Sequence, residues 1–317
     1  MSRLRSEVLE WLDQGRVVPG REREALRAAG MVPARGDWRA FLAQLALWLG
    51  TVALAAALIF FFAFNWDDLG RFGKFALVEA AIVAALLVCW RANLDTNGGK
   101  AVLLLLSLLV GALLALSGQV YQTGADPFEL FAWWAVLILP WVLIGRFSAL
   151  WLLWLALLNL ASALYFQLFW EPQPLLWSLF ALNALALAAW EAARRLGCSW
   201  LSDSWTPRLV ALASAGAATA LIAWAILDAD DGRGIPAMLA YAAWLAALYA
   251  WYRRARPDLF MLAAGLLSLI VAVAMFLTRH MVDAGEGVGF LFTGLAVIGM
   301  AGGGAVWLRS VAREQPA

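Results

Sequence analysis

Charge is scarce in this sequence: acidic and basic residues together fill 14% of 317 positions. Histidine occurs once, at His280, and cysteine twice, at Cys89 and Cys198. That cysteine spacing builds neither a disulfide framework nor a zinc site, so two free thiols are expected. His280 has no cysteine or second histidine near it, and no metal site is expected. There is no Walker loop, HExxH, GxSxG or dinucleotide fingerprint, so no catalytic residues and no cofactor are implied. A net charge of +1 gives no general attraction to nucleic acid.

A polar exterior is missing too. Hydrophobic residues make up 64% of the chain, and mean hydropathy is +0.78. A soluble domain of this length could not hide that much apolar surface. A β-barrel would alternate polar and apolar residues in strands of about 10, which this chain does not do. What is present is a series of apolar runs of about 20 residues. The expected fold is an all-α polytopic integral membrane bundle of about ten transmembrane helices. Its first partner is therefore the lipid bilayer.

The runs fall at 41–64, 75–92, 101–118, 129–145, 148–167, 174–192, 208–227, 235–252, 259–278 and 289–308. Trp38, Trp66, Trp90, Trp170, Trp190, Trp205, Trp251 and Trp307 sit near their ends, where an indole is best placed at the headgroups. The first run is too long for a signal-peptide core and reads as an uncleaved anchor.

Orientation follows from counting. With the N-terminus in the cytosol, only Arg71, Lys74, Arg233 and Arg279 of the 23 basic residues lie in outer loops. The positive-inside rule then predicts both termini inside, N-in and C-in. Asp67, Asp68, Asp126, Glu129 and Glu171 are among the acids left on the outer face.

On this reading the chain divides into a cytosolic helical head (1–38), a first four-helix membrane unit (39–146), a linking helix hairpin (147–206) and a second four-helix unit (207–317). Leu105-Leu106-Ser107-Leu108 matches Leu266-Leu267-Ser268-Leu269, which makes the second unit a weak repeat of the first. In the head, Leu4, Val8, Leu9, Trp11 and Leu12 have helical spacing, Gly15 breaks the pattern, and Pro19 can open a second helix. Residues 1–36 are either a topological anchor or a docking site for a membrane or cytosolic protein, or for anionic headgroups.

Polar chemistry gathers at the outer corners. Glu79 is the one carboxylate this reading places within hydrocarbon, about five residues below the outer surface, where an ionisable side chain marks a site. Gly118–Pro127 forms a second corner, and turn chemistry does not require its Gln119, Tyr121 and Gln122. These could share a polar pocket with Asp67, Asp68, Glu79, Asp126 and Glu129, or simply cap helix ends. Asn159, Asn183, Gln44 and Gln167 are expected to hydrogen-bond between helices. Pro140 is expected to kink the fourth span. The glycines Gly299, Gly302, Gly303 and Gly304, and the run Ser214-Ala215-Gly216-Ala217, read as close-packing faces.

The first half resembles a family of bacterial predicted membrane proteins, domain of unknown function 2157. The resemblance is carried by Trp11-Leu12 with Gly15, Gly36-Asp37-Trp38, FFAFNWDDLGRFGKFALVEA (61–80), SGQVYQTGADPFELF (117–131) and Leu139-Pro140-Trp141. It covers about residues 8–150. It implies a multi-pass protein of the bacterial inner membrane and carries over no catalytic residues. Three functions stay open. The first is a non-enzymatic membrane subunit or accessory factor with an acidic, polar periplasmic face. The second is a small-solute or lipid transporter using Glu79 and the outer acids. The third is a membrane glycosyltransferase-like enzyme using Asp67 and Asp68, against which its short outer loops count.

Overall fold

A computed structural model of the chain describes residues 2–33, 35–64, 70–121, 124, 126–168, 172–201, 205–227, 232, 234–281 and 286–314. Among these residues the only regular structure is helical. In order the helices are α1 (Ser2–Asp13), α2 (Glu22–Ala28), α3 (Arg35–Ala63), α4 (Arg71–Arg91), α5 (Asn97–Tyr121), α6 (Pro127–Gly145), α7 (Ser148–Leu168), α8 (Pro172–Arg195), α9 (Trp205–Leu227), α10 (Ile235–Ala250), α11 (Leu259–Met281) and α12 (Glu286–Glu314). Ten of them, α3 to α12, are long and apolar enough to cross a membrane, α10 when counted with the helical turn that carries it on to Ala255. Each coincides with an expected apolar run to within a few residues. The largest differences are at α3, which starts six residues early, and at α12, which runs on to Glu314. At 29 residues each, these two reach roughly 44 Å, beyond a hydrocarbon core of about 30 Å.

The chain separates into two compact units, Met1–Leu116 and Ser117–Gln315. The first begins with the head. Helix α1 ends where Gly15 takes a positive φ of 64°, and the Arg16 amide reaches back to the Trp11 carbonyl at 2.9 Å. Gly30 closes α2 in the same way, with the Met31 amide on the Leu26 carbonyl at 2.8 Å. Both are glycine stops of the kind a left-handed residue permits. The second head helix starts at Glu22, three residues later than Pro19 suggests. The Glu22 carboxylate accepts from the Gly20 amide at 3.0 and 3.1 Å. That bond, with its own amide, holds the Glu22 carboxyl below the usual range.

Helix α5 follows a four-residue turn with its own cap. The Thr96 hydroxyl donates to the Asn93 carbonyl at 2.7 Å and accepts from the Gly99 amide at 3.1 Å, the bond of an N-cap threonine. Gly99 is required there, because a Cβ would run into the Asn93 carbonyl. Along α5, Leu103, Leu104, Leu106, Leu109 and Val110 are buried, as is Ser107, whose hydroxyl donates to the Leu103 carbonyl at 2.9 Å.

The second unit is built on α9. Its Ala211, Ala215, Ala218, Ile222 and Ala225 recur every three or four residues and are buried against α8, α10 and α11. Small side chains on one helical face let neighbouring backbones approach, the favoured packing where lipid gives no hydrophobic drive. Helices α6 and α7 form a tight pair across a two-residue connection in which Arg146 is left-handed. Helix α6 continues through Pro140, and the Trp154 indole donates to the Ala135 carbonyl at 3.1 Å.

The glycine expectation divides. A Cβ on Gly304 would collide with the Leu266 side chain, and one on Gly265 would sit 3.0 Å from Leu248 Cδ2, so these two mark close packing. Gly216, Gly299, Gly302 and Gly303 have open space where a Cβ would go, so they do not form the expected close-packing faces among the described residues.

Candidate functional site

Three groups of polar side chains link helices inside the second unit. Between α7 and α8, Asn159 and Asn183 exchange amide bonds, at 2.6 Å from Asn183 Nδ2 and 3.4 Å in return. Each amide also donates to its own helix, at Leu155 and Leu179. Ser162 and Ser178 join the same two helices. The expected inter-helix amide bond is therefore present for this pair, whereas Gln44 and Gln167 lie on exposed faces.

Between α9, α10 and α11 runs a chain of hydroxyls. Thr219 donates to the Ala215 carbonyl at 2.6 Å, so it accepts from Ser268 at 2.7 Å. Ser268 in turn accepts from the Tyr241 phenol at 3.0 Å. Nearby, the Trp244 indole donates to Ser214 at 2.9 Å. Every proton in this chain has one direction, and the chain ends on a backbone carbonyl. It clamps three helices together.

The third group holds the charge. Glu191, on the last turns of α8, is 5% exposed. It accepts from the Tyr252 phenol at 3.1 Å, the Trp251 indole at 3.4 Å and the Arg256 guanidinium at 3.4 Å. Arg194, one turn along α8, stands 3.8 Å from it. What gathers these donors is a π-helical turn, Trp251–Ala255, that ends α10. The Arg256 amide bonds the Trp251 carbonyl at 3.0 Å, five residues back, and Pro257 then keeps Arg256 out of the helical conformation. Such wide turns occur often at functional sites.

Two more ion pairs sit at this end of the unit. Asp258 caps α11 through the Phe260 amide at 2.9 Å and pairs with Arg208 of α9 at 3.1 Å. Arg253 pairs with Glu314 at the end of α12. Arg195 has no carboxylate partner among the described residues; its guanidinium lies 3.6 Å above the centre of the Trp251 ring. Between α8 and α10, which both pack on α9, is a cavity of about 290 Å³. Ala184, Leu187, Ala188, Trp244, Ala247 and Leu248 form its apolar walls, and Glu191, Arg195, Trp251 and Tyr252 its polar end.

Of the residues expected to form an outer pocket, Asp67, Asp68 and Gln122 lie outside the described residues. Glu79 lies on an exposed face of α4, in the first unit. Gln119 and Tyr121 end α5, and Asp126 and Glu129 begin α6, so these four flank one connection in the second unit. Gln119, Tyr121 and Asp126 are exposed and Glu129 half-buried.

Glu191 was passed over in the sequence because it sits next to last in its apolar run, just before two arginines, where an acid reads as a solvated helix end. The signal was there in two pieces: the Glu191–Arg194 spacing, and the aromatic and basic run Trp251–Arg256 ahead of Pro257. Among the described residues no cluster of His, Cys, Asp or Glu is placed to hold a metal ion, and Cys89 and Cys198 are not joined in a disulfide.

Ten membrane-length helices, several of them joined by hydrogen bonds between buried polar side chains, define a multi-pass helical membrane protein. Residues 9–151 match the model of a family described as predicted membrane protein, DUF2157. No curated protein and no solved structure matches the chain significantly.

Proposed function

We propose that the protein is a non-enzymatic subunit or accessory factor of the bacterial inner membrane, with both termini in the cytosol. The observation that carries this reading is that the buried charge and amides inside the second unit are bonded to one another; the buried polar atoms left without a partner among the described residues are the indole N–H groups of Trp151 and Trp190 and the Thr293 hydroxyl, all uncharged. Asn159 with Asn183, Tyr241 with Ser268 and Thr219, and Glu191 with Tyr252 and its arginines form closed sets that bind helices to one another. A carrier needs polar groups left free for its cargo near the midplane. Orientation is supported by the arginines at the α8, α10 and α12 ends, which the positive-inside rule assigns to the cytosol. Asp67, Asp68, Glu79, Gln119, Tyr121, Gln122, Asp126 and Glu129 then belong to a polar periplasmic face. The head offers a docking element, since Leu9 and Trp11 are about half exposed while Val8 is buried.

The test is crosslinking in intact membranes followed by mild solubilisation. A stoichiometric protein partner, lost when Leu9 and Trp11 are replaced by serine, is the expected result. Proton-driven solute flux by the purified protein in liposomes, abolished by Glu79→Gln, would overturn the proposal in favour of a carrier. A divalent-metal-dependent glycosyl transfer abolished by Asp67→Asn would overturn it in favour of an enzyme.

A further inference from the structure

We propose that the cleft between α8 and α10 binds one anionic glycerophospholipid, with an acyl chain along its apolar walls and the phosphate on Arg195. The site goes beyond the accessory role above and does not depend on it.

The shape points to an amphiphile. The cleft follows α8 from Ala184 to Arg195, a rise of roughly 16 Å. Alanines on the α8 side make the trough, and Trp244 and Leu248 make the opposite wall. Only one end is polar. A sugar, nucleotide or hydrated ion would need hydrogen-bonding groups along its whole length, which these walls lack. A second transmembrane helix, about 10 Å across or more, is too wide for about 290 Å³. An acyl chain fits.

The charge points to an anion. Glu191 at the polar end is already occupied by Tyr252, Trp251 and Arg256, with Arg194 beside it. Arg195 is exposed and without a carboxylate partner among the described residues. Its guanidinium carbon stands 3.6 Å from the centre of the Trp251 ring, a cation–π contact that holds the group at the polar end while its N–H donors can still bond a phosphate. Arg253 is paired with Glu314, and Arg254 adds a further exposed cation on the same turn. A zwitterionic lipid would bring its own cation to this cationic end. An anionic headgroup does not.

The test is native mass spectrometry of the full chain in detergent, titrated with palmitoyl-oleoyl phosphatidylglycerol or with the matching phosphatidylcholine. The first phosphatidylglycerol should bind about tenfold more tightly than phosphatidylcholine, and Arg195→Gln should remove that preference. Arg313→Gln, which deletes a charge near the same end but outside the cleft, should leave it unchanged. Ala188→Phe, which fills the trough without altering charge, should abolish the first binding event for both lipids. Equal affinity for the two lipids, the same loss in Arg313→Gln as in Arg195→Gln, or undiminished binding in Ala188→Phe would each overturn the proposal.

Discussion

Replacing Glu191 by alanine tests whether its buried carboxylate holds the α8 and α10 ends together. The side chain is 7% exposed, and its removal deprives four residues of a partner: Tyr252, Trp251, Arg256 and Arg194. Tyr252, itself 3% exposed, loses the acceptor of its phenol. Arg194, with a side chain 12% exposed, keeps a charge it cannot easily hydrate. Arg256, at 45%, can turn to water and loses little. Breaking a buried pair by deleting one partner costs about 3–5 kcal/mol. The easy escape of Arg256 places Glu191→Ala near the lower bound, about 3 kcal/mol. Glu191→Gln keeps one oxygen for Tyr252 and should cost about 1–2 kcal/mol. Arg256→Gln should cost under about 1 kcal/mol. Adding Arg194→Leu to Glu191→Ala removes the stranded cation, so the double variant should be more stable than Glu191→Ala alone. The assay is unfolding in mixed micelles by rising dodecyl sulfate, followed by tryptophan fluorescence. The reasoning is refuted if Glu191→Ala is no less stable than Arg256→Gln, or if the double variant is the least stable of the set.

Three further outcomes follow from the same structure. Ser268→Ala leaves the Tyr241 phenol buried without an acceptor and should cost about 1–3 kcal/mol, while Tyr241→Phe should cost about 1 and add little on top of Ser268→Ala; the same unfolding assay reads both, and strict additivity would count against the chain. Gly304→Leu must push Leu266 aside and should destabilise the α11–α12 contact by about 1–3 kcal/mol, whereas Gly303→Leu, pointing into open space, should unfold with the parent protein. In a background with Cys89 and Cys198 replaced by alanine, an impermeant maleimide applied to spheroplasts should label Asp126→Cys and spare Arg254→Cys; labelling of both or neither would contradict the proposed orientation.

Much of the architecture was legible along the chain because a bilayer imposes a length. A helix must stay apolar for about 20 residues to cross, so the number and approximate ends of the spans follow from hydropathy alone. Glycine stops were legible for a different reason: Gly15 takes a left-handed conformation that few other residues adopt. The amide pair Asn159–Asn183 could be anticipated as well, since a buried amide needs a partner. The polar end at Glu191 could not. Its partners Tyr252 and Arg256 are 61 and 65 positions away, and a π-helical turn, which has no strong sequence signature, brings them over it.

The sequence by itself determined that this is a multi-pass helical bundle, about where each spanning helix lies, and how its bases and acids are distributed along the chain. Only the tertiary structure decided which face of each helix looks inward. A soluble helix announces its buried side through an apolar stripe. A membrane helix is apolar all round, so its rotation about its own axis is left to packing and hydrogen bonds with its neighbours. That is why Gly304 meets Leu266 while Gly303 beside it meets nothing, and why Glu191, which nothing in the sequence singled out, lies buried at the α8 and α10 ends.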